Sequence, residues 1–280
     1  MKNNLSEITI CAVDCVNSEL SSKAIDNSLS ECSFGDAVLF TDSPLINDIN
    51  KRHIKIDKIN GKNDYSKFLL KDLCKYVQTS HVLIIQWDGY VLDGSQWNDD
   101  FLNYDYIGAP WHWHKDGMNV GNGGFSLRSK KLLETMSMLD FPFIQDMNED
   151  DQICRLYRSK LVSDYSIRFP SEQLANTFSY ERSLPNQPTF GFHGLFNMWR
   201  HLSDNELIEM AEKLNPYVFH SIEYFELLLQ CFVMRKFKPL KFLYKRSKDN
   251  CDSVETMCQI SKLTNDHNLI NLFFATCNKL

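Results

Sequence analysis

Three sets of residues in this chain have the types and spacing to do chemistry. The first is Gln86-Trp87-Asp88-Gly89, which follows directly on the apolar run 82–85. A carboxylate at the end of a buried strand stands where open α/β sheets bind ligands, outside the carboxyl ends of the strands. One or two protein oxygens suffice to hold a divalent cation on a diphosphate, because phosphate and water oxygens complete the octahedron. Asp88 suits that role, and it suits a strand-end turn or cap equally well. The second set is Glu149-Asp150-Asp151. Three adjacent acids cannot share one helix face, so at most two point into a pocket. A carboxylate at a helix start beside a cleft can be ionised yet dry enough to act as a general base. The helix dipole alone also favours acids there. The third is His193, in the loop Phe190-Gly191-Phe192-His193-Gly194. A neutral imidazole is a good ligand for Mn²⁺, although a lone loop histidine is also a common structural residue.

A glycine turn lies between the first two sets. Gly121-Asn122-Gly123-Gly124 lets the backbone pass close to a ligand, and Phe125-Ser126-Leu127 then resumes a strand. Trp87, Trp97, Trp111 and Trp113 surround it in sequence. An indole face packs well on the C–H face of a sugar ring, and equally well in an aromatic core. Carboxylate, glycine turn and indoles together suggest a sugar or nucleotide site. His112 and His114 would share a face of a strand, but no third ligand at a recognisable spacing accompanies them.

The elements that must position these groups read as α/β. Segments 8–13, 37–40 and 82–85 are short apolar runs that predict buried strands, the first two ending at Asp14 and Asp42. Segment 54–59 alternates apolar and charged residues, as a strand with one wet face would. Helices are predicted over 21–29, 65–78 and 129–139, and an acid-rich helix start follows Asn148 as N-cap. Ile167-Arg168-Phe169-Pro170 looks like a short edge strand. Strand and helix alternate as in a sheet with parallel strands. Near residue 200 the texture changes. Ser203-Asp204-Asn205-Glu206 reads as a capping box, and 217–234, 240–246, 254–263 and 267–277 all read helical. The expected organisation is therefore an α/β domain, 1–200, and an all-helical C-terminal domain, 201–280.

Composition narrows the partners. Of 280 residues, 43% are hydrophobic, enough for a sizeable core, and the net charge of −6 offers no global field for nucleic acid. The run from Lys236 through Lys241 to Lys245-Arg246 is the one basic stretch that could meet anionic lipid; a solvated helix face is the plainer account. Nine cysteines without a Cys-x-x-Cys pair point to reduced, buried thiols and a cytoplasmic setting. The N-terminal segment lacks the apolar stretch of a signal peptide, and no segment approaches the ~18 apolar residues of a membrane span.

In order along the chain, Gln86-Trp87-Asp88, Tyr106-Ile107-Gly108-Ala109-Pro110-Trp111, Gly121-Asn122-Gly123-Gly124-Phe125-Ser126-Leu127-Arg128, Glu149-Asp150-Asp151 and Phe192-His193-Gly194 resemble bacterial glycosyltransferases of the GT-A fold. The resemblance is to the uncharacterised, capsule- and lipopolysaccharide-associated glycosyltransferase-like domains with a DYIGAPW…VGNGGFSLRS signature, and it covers residues 8–200. The layout is also similar to that of animal β-galactosyltransferases. It implies a GT-A-like, Rossmann-related mixed sheet flanked by helices, with the helical region as an appendage. Asp88 matches the last acid of the family's Asp-x-Asp metal motif, with Gln86 where the first acid would be, and His193 matches the histidine that completes the site. Mn²⁺ or Mg²⁺ is the implied cofactor. Gly123 and Gly124, with Asn122, match the turn lining the sugars, with Trp87 and Trp111 near it. Asp14 and Asp42 fall where the family holds base and ribose. Asp150, with Glu149 and Asp151 beside it, matches the catalytic base of an inverting transferase.

The implied activity is transfer of a sugar from a nucleotide-sugar, UDP-sugar favoured, to a glycan or lipid-linked acceptor in surface polysaccharide synthesis. The implied setting is the cytoplasm or the inner face of the membrane. Two other readings stay open: a non-catalytic nucleotide- or carbohydrate-binding module with a helical interaction tail, and a metal-dependent hydrolase built on the same acids and histidine.

Overall fold

A computed structural model describes residues 2–43 and 48–280. The chain divides after His193 into two compact units, Met1–His193 and Gly194–Leu280; the change of texture in the sequence lies near residue 200.

The first unit is built on a six-stranded sheet. Its strands are β1 (Asn3–Val13), β2 (Cys32–Thr41), β3 (Arg52–Lys55), β4 (His81–Ile85), β5 (Tyr106–Ile107) and β6 (Phe125–Ser129). They lie in the order β3-β2-β1-β4-β6-β5. The first four are parallel; β6 runs antiparallel to both β4 and β5. β4 is buried at all five positions and β1 over its last six. Strands covered on both faces need continuous apolar runs, and for that reason 8–13 and 82–85 stand out in the sequence. Helices α1 (Ser18–Glu31), α2 (Lys62–Lys71) and α3 (Lys130–Ser137) flank the sheet. On one face Cys11, Val38, Phe40, Val82 and Ile84 join Leu69 and Leu73 in a single core. The mixed sheet flanked by helices matches the expected fold class.

Two features of the sheet decide where the candidate residues meet. The strand order reverses between β1 and β4, and ligands of open sheets bind outside the strand ends at such a point. Ala12 of β1 pairs with Ile85 of β4, so Asp14 and the segment after β4 emerge side by side. The antiparallel β6 starts where β4 ends, with Ile85 opposite Phe125 and the Gln86 amide donating to Gly124 O at 2.9 Å. The glycine turn that precedes β6 is thereby set against Gln86 and Asp88.

Beyond α3 the unit continues with α4 (Glu149–Asp151), a π turn (Gln152–Leu156), α5 (Arg158–Tyr165), α6 (Glu172–Phe178) and a ribbon of two parallel two-residue strands, β7 (Ser179–Tyr180) and β8 (Gly191–Phe192). Three expectations are corrected. Residues 167–170 form no strand: Arg168 exchanges bonds with Asp105 alone, its N–H donating to the Asp105 carboxylate and its carbonyl accepting from the Asp105 amide. The strand expected over 54–59 ends at Lys55, and the last sheet bond is Ile56 N–H to Thr41 O. The helix expected over 65–78 ends at Lys71 and passes into a single 3₁₀ turn, Leu73–Lys75.

The second unit is helical. A 3₁₀ segment (Leu195–Arg200) precedes α7 (Asp204–Lys213), and a 3₁₀ turn (Pro216–His220) precedes α8 (Ile222–Val233), α9 (Phe237–Asn250), α10 (Ser253–Leu263) and α11 (His267–Cys277). The capping box at Ser203 is present. The single helix expected over 217–234 is split at Ser221, whose hydroxyl caps α8 by accepting from Tyr224 N–H. Phe225, Leu228 and Cys231 of α8 and Leu240 and Leu243 of α9 are fully buried. Among the described residues no helix is long and apolar enough to cross a membrane.

Candidate active site

Asp88 lies just past the end of β4 and is 4% exposed. Its Oδ1 is buried without a hydrogen-bond partner and sits 3.4 Å from His193 Nε2. A buried carboxylate oxygen that no donor satisfies is costly unless a charge sits against it. Gly89 allows the approach: a Cβ there would stand 2.7 Å from Phe192 O. Gly124 does the same from the other side, since its Cβ would fall 2.0 Å from His193 Nε2. These glycines serve close contact.

His193 is held at both ring nitrogens. Nε2 lies 3.1 Å from Gln86 Oε1, and Gln86 Nε2 donates to the Tyr65 hydroxyl at 3.1 Å. Nδ1 lies 3.1 Å from Glu181 Oε1 and 3.3 Å from the amide nitrogen of Asn122. The ribbon explains the Glu181 contact. Tyr180 pairs with Phe192 in parallel register and the His193 amide donates to Tyr180 O, so the next residues along, Glu181 and His193, fall side by side. Burial alone would lower the pKa of His193; the carboxylates of Asp88 and Glu181 outweigh it and hold the pKa well above its ordinary value.

This arrangement fits a divalent cation. With Nδ1–H directed at Glu181, Nε2 faces the acceptors Gln86 Oε1 and Asp88 Oδ1. A second ring proton or a metal ion standing among the three would satisfy them. Adjacent ligands of an octahedral cation at about 2.1 Å are about 3 Å apart, close to the separations of 3.1 and 3.4 Å found here. A carboxylate behind the imidazole is the usual support of a metal-binding histidine.

The acid triplet divides its work. Glu149 is 4% exposed, and its Oε1 accepts from the fully buried Arg128 at 2.9 Å while Oε2 takes the Ser66 hydroxyl at 3.3 Å. It closes an ion pair under the glycine turn, where a Cβ on Gly123 would come within 2.1 Å of it. Asp150 faces the turn: its Oδ2 accepts from Gly123 N–H at 2.8 Å and its Oδ1 from Asp151 N–H at 2.9 Å. Burial, then the charges of Glu149 and Asp151, push its pKa up to about 7. Asp151 points elsewhere, lining a cavity of about 480 Å³ with Lys62, Met118 and Arg155. Asn148 occupies the N-cap position, but its side chain makes no capping bond.

Asn122, in the left-handed region at φ 63°, shapes the turn. Its carbonyl accepts from the Tyr106 hydroxyl and its side-chain oxygen from Phe125 N–H. The turn therefore touches His193 through Gly124 and Asp150 through Gly123. Trp111 is 5% exposed and its ring lies over Gly121, leaving no room for a Cβ. Trp113, tilted against it, is 56% exposed. Trp87 is half-buried. Asp14 is occupied by its own chain: Val16 and Asn17 amides and the Ser21 hydroxyl donate to it at 2.6–2.7 Å. Asp42, half-buried, follows β2. A cavity of about 730 Å³ opens past the end of β3, lined by Lys55, Lys58, Lys67, Phe68 and Tyr76.

Sequence reasoning missed three contributors. Arg128 was visible as the end of the Gly121–Arg128 block, but its burial with Glu149 was not. Tyr65 and Glu181 carried no local signal.

The structure is similar to that of the galactosyltransferase LgtC in complex with donor and acceptor sugar analogs: 13% identity, TM-score 0.43, 74% of this chain and 96% of that one. It is similar also to a mannosyltransferase, PcManGT from Pyrobaculum calidifontis, in complex with GDP-Man and Mn²⁺: 9% identity, TM-score 0.44, 98% of this chain and 80% of that one. A third is a glycosyltransferase involved in glycosylation of the major capsid of PBCV-1: 14% identity, TM-score 0.42, 74% and 96%. At these values the likenesses say nothing of what this chain does. No curated protein matches the sequence. Residues 48–193, just over half of the chain, match the family described as "Protein of unknown function (DUF5672)", and the chain belongs to that family.

Proposed function

We propose that this protein is a metal-dependent glycosyltransferase that moves a sugar, with inversion, from a nucleotide-sugar to a glycan or lipid-linked acceptor. The observation that carries the reading is the meeting of Asp88 Oδ1, which has no hydrogen-bond donor, with His193 Nε2 and Gln86 Oε1 at the sheet's switch point. Asp88 and His193, with Gln86 beside them, would hold Mn²⁺ or Mg²⁺, which neutralises the diphosphate leaving group when bound. Glu181, 3.1 Å from Nδ1, would keep the His193 proton there and leave Nε2 to the metal. Gly123 and Gly124 bring backbone close to the sugar. Asp150, with a raised pKa, takes the proton from the attacking acceptor hydroxyl. Asp42 and Trp87, both half-buried, would complete the proposed donor and acceptor contacts, while Asp14, held by its own chain, and Trp111, buried over Gly121, would support them from behind. Surface polysaccharide synthesis at the cytoplasmic side of a membrane is the proposed setting. Lys238, Lys241, Lys245 and Lys248 of α9 are exposed and would meet anionic lipid.

Thermal-shift titration with UDP, GDP and CMP, with and without Mn²⁺, tests the donor site, since a ligand that binds only the folded state raises Tm. A Mn²⁺-dependent shift with one nucleotide, UDP expected, that Asp88→Ala abolishes supports the reading. No shift with any nucleotide overturns it. Gln86, whose amide Tyr65 and His193 already engage, favours a second reading, a nucleotide- or carbohydrate-binding module without turnover. Nucleotide-sugar binding with neither transfer nor hydrolysis over a broad acceptor panel would select it.

A further inference from the structure

The helical unit carries a second set of convergent ligand atoms, distinct in chemistry from Asp88 and His193. His220 ends the 3₁₀ turn before α8, Cys251 is the C-cap residue of α9, and Glu255 lies in the first turn of α10. One atom from each, His220 Nδ1, Cys251 Sγ and a Glu255 carboxylate oxygen, lies within 4.8 Å of the others. Nδ1 is 2.8 Å from Glu255 Oε1 and 3.5 Å from Cys251 Sγ. The sulfur is buried, the carboxylate half-buried and the imidazole exposed, so the cluster has a closed floor and an open mouth.

From this geometry we infer that His220, Cys251 and Glu255 form a zinc site. A thiolate, an imidazole and a carboxylate are the ligands Zn²⁺ takes, and tetrahedral bonds of 2.0–2.3 Å put neighbouring ligands about 3.3–3.6 Å apart. The sulfur–nitrogen separation already has that value, and the nitrogen–oxygen pair has to open by only about half an ångström. Water supplies the fourth position at the mouth. Binding breaks the Cys251 S–H bond, and the proton leaves to solvent as the sulfur–metal bond forms. The bond from Sγ to Phe219 O is given up at the same time.

The ligands come preorganised. The Cys251 amide closes α9 by donating to Ser247 O at 2.7 Å. Asp252 caps α10 by accepting from Glu255 N–H at 2.7 Å, which fixes Glu255 as the third residue of that helix. Gln259 of α10 donates to His220 O at 3.3 Å. The metal would clip together three chain segments that meet at one point, the 3₁₀ turn, the end of α9 and the start of α10.

A Co²⁺–thiolate bond gives a near-ultraviolet charge-transfer band that Asp88 and His193, lacking sulfur, cannot give, and Cys251→Ser separates this thiolate from the other cysteines, of which Cys258 is exposed. The experiment titrates the purified full chain, kept reduced, with Co²⁺ and then Zn²⁺. The expected result is a band that saturates at one Co²⁺ per chain, is bleached by Zn²⁺, persists in Asp88→Asn and is lost in Cys251→Ser. His220→Asn alters an exposed side chain and should leave the helical circular dichroism unchanged. It should weaken Co²⁺ binding by at least tenfold, since even a partner behind a ligand contributes about 10–100-fold. No band in the unaltered chain, a band that survives Cys251→Ser, or unchanged affinity in His220→Asn would overturn the assignment. The three residues would then be a hydrogen-bonded helix junction only.

Discussion

Glu181 Oε1 lies 3.1 Å from Nδ1 of His193, and the opposite ring nitrogen, Nε2, lies 3.4 Å from Oδ1 of Asp88. The imidazole is therefore suspended between two carboxylates, one at each ring nitrogen. Removing the Glu181 charge while keeping its shape tests that arrangement. Glu181→Gln is expected to weaken Mn²⁺ binding by about 10–100-fold, read from the Mn²⁺ dependence of the nucleotide-induced Tm shift. Unchanged Mn²⁺ affinity would remove Glu181 from the proposed metal site.

Asp150 is the carboxylate that hydrogen-bonds the glycine turn, and Glu149, packed beneath it, is spent on Arg128. Asp150→Asn is expected to lower kcat by about 10²–10⁴-fold while the nucleotide-induced Tm shift stays. Glu149→Gln should act mainly on stability. Full turnover in Asp150→Asn would cancel the base assignment.

The raised pKa of Asp150 has a stability signature of definite sign. Its folded value of about 7 exceeds the ordinary 3.8, so between the two the folded chain holds a proton that the unfolded chain has released. Stability from this group is therefore greatest at low pH and is lost as pH rises through about 7. A Tm profile from pH 5 to 8 should fall less steeply in Asp150→Asn than in the unaltered protein. Parallel profiles would show that Asp150 does not titrate in that window.

Arg128 and Glu149 form a buried pair, 0% and 5% exposed at their side chains. Arg128→Met strands the Glu149 carboxylate and should cost about 3–5 kcal/mol, measured by urea unfolding. Adding Glu149→Met should recover much of that loss, because the uncompensated charge is what destabilises. A double variant as unstable as the single one would place the cost in lost packing over Tyr106, on whose ring the guanidinium rests at 5.2 Å.

Gly121 and Gly124 differ in what a methyl group would strike. In Gly121→Ala it meets the Trp111 ring at 2.2 Å, deep in the fold, and should destabilise by about 1–3 kcal/mol. In Gly124→Ala it meets His193 Nε2 at 2.0 Å and should displace the imidazole. The expected contrast is a loss of Tm in the first and a loss of Mn²⁺-dependent nucleotide binding in the second. Normal Mn²⁺ response in Gly124→Ala would separate the turn from the proposed metal site.

The sequence by itself determined what depends on local pattern. The apolar runs before Asp14 and Asp88 declared buried strands, because a strand covered on both faces has no place for polar residues. The acids after Asn148 declared a helix start, and Gly123-Gly124 a close approach. Tertiary structure alone decided which of these groups meet. That β6 runs antiparallel to β4, and so lays Gly124 against Gln86, depends on pairing between distant segments. The two-residue ribbon that aligns Glu181 with His193 is too short to leave a periodic trace. Arg128 and Glu149 look like ordinary surface charges in sequence, since nothing local tells a solvated charge from one buried with its partner. Hydrophobic period reports burial of a segment against the bulk of the fold; it carries no address for the partner. Gln86, Asp88 and His193 stand apart in the chain, and their meeting at the end of β4 exists only once the sheet order is set.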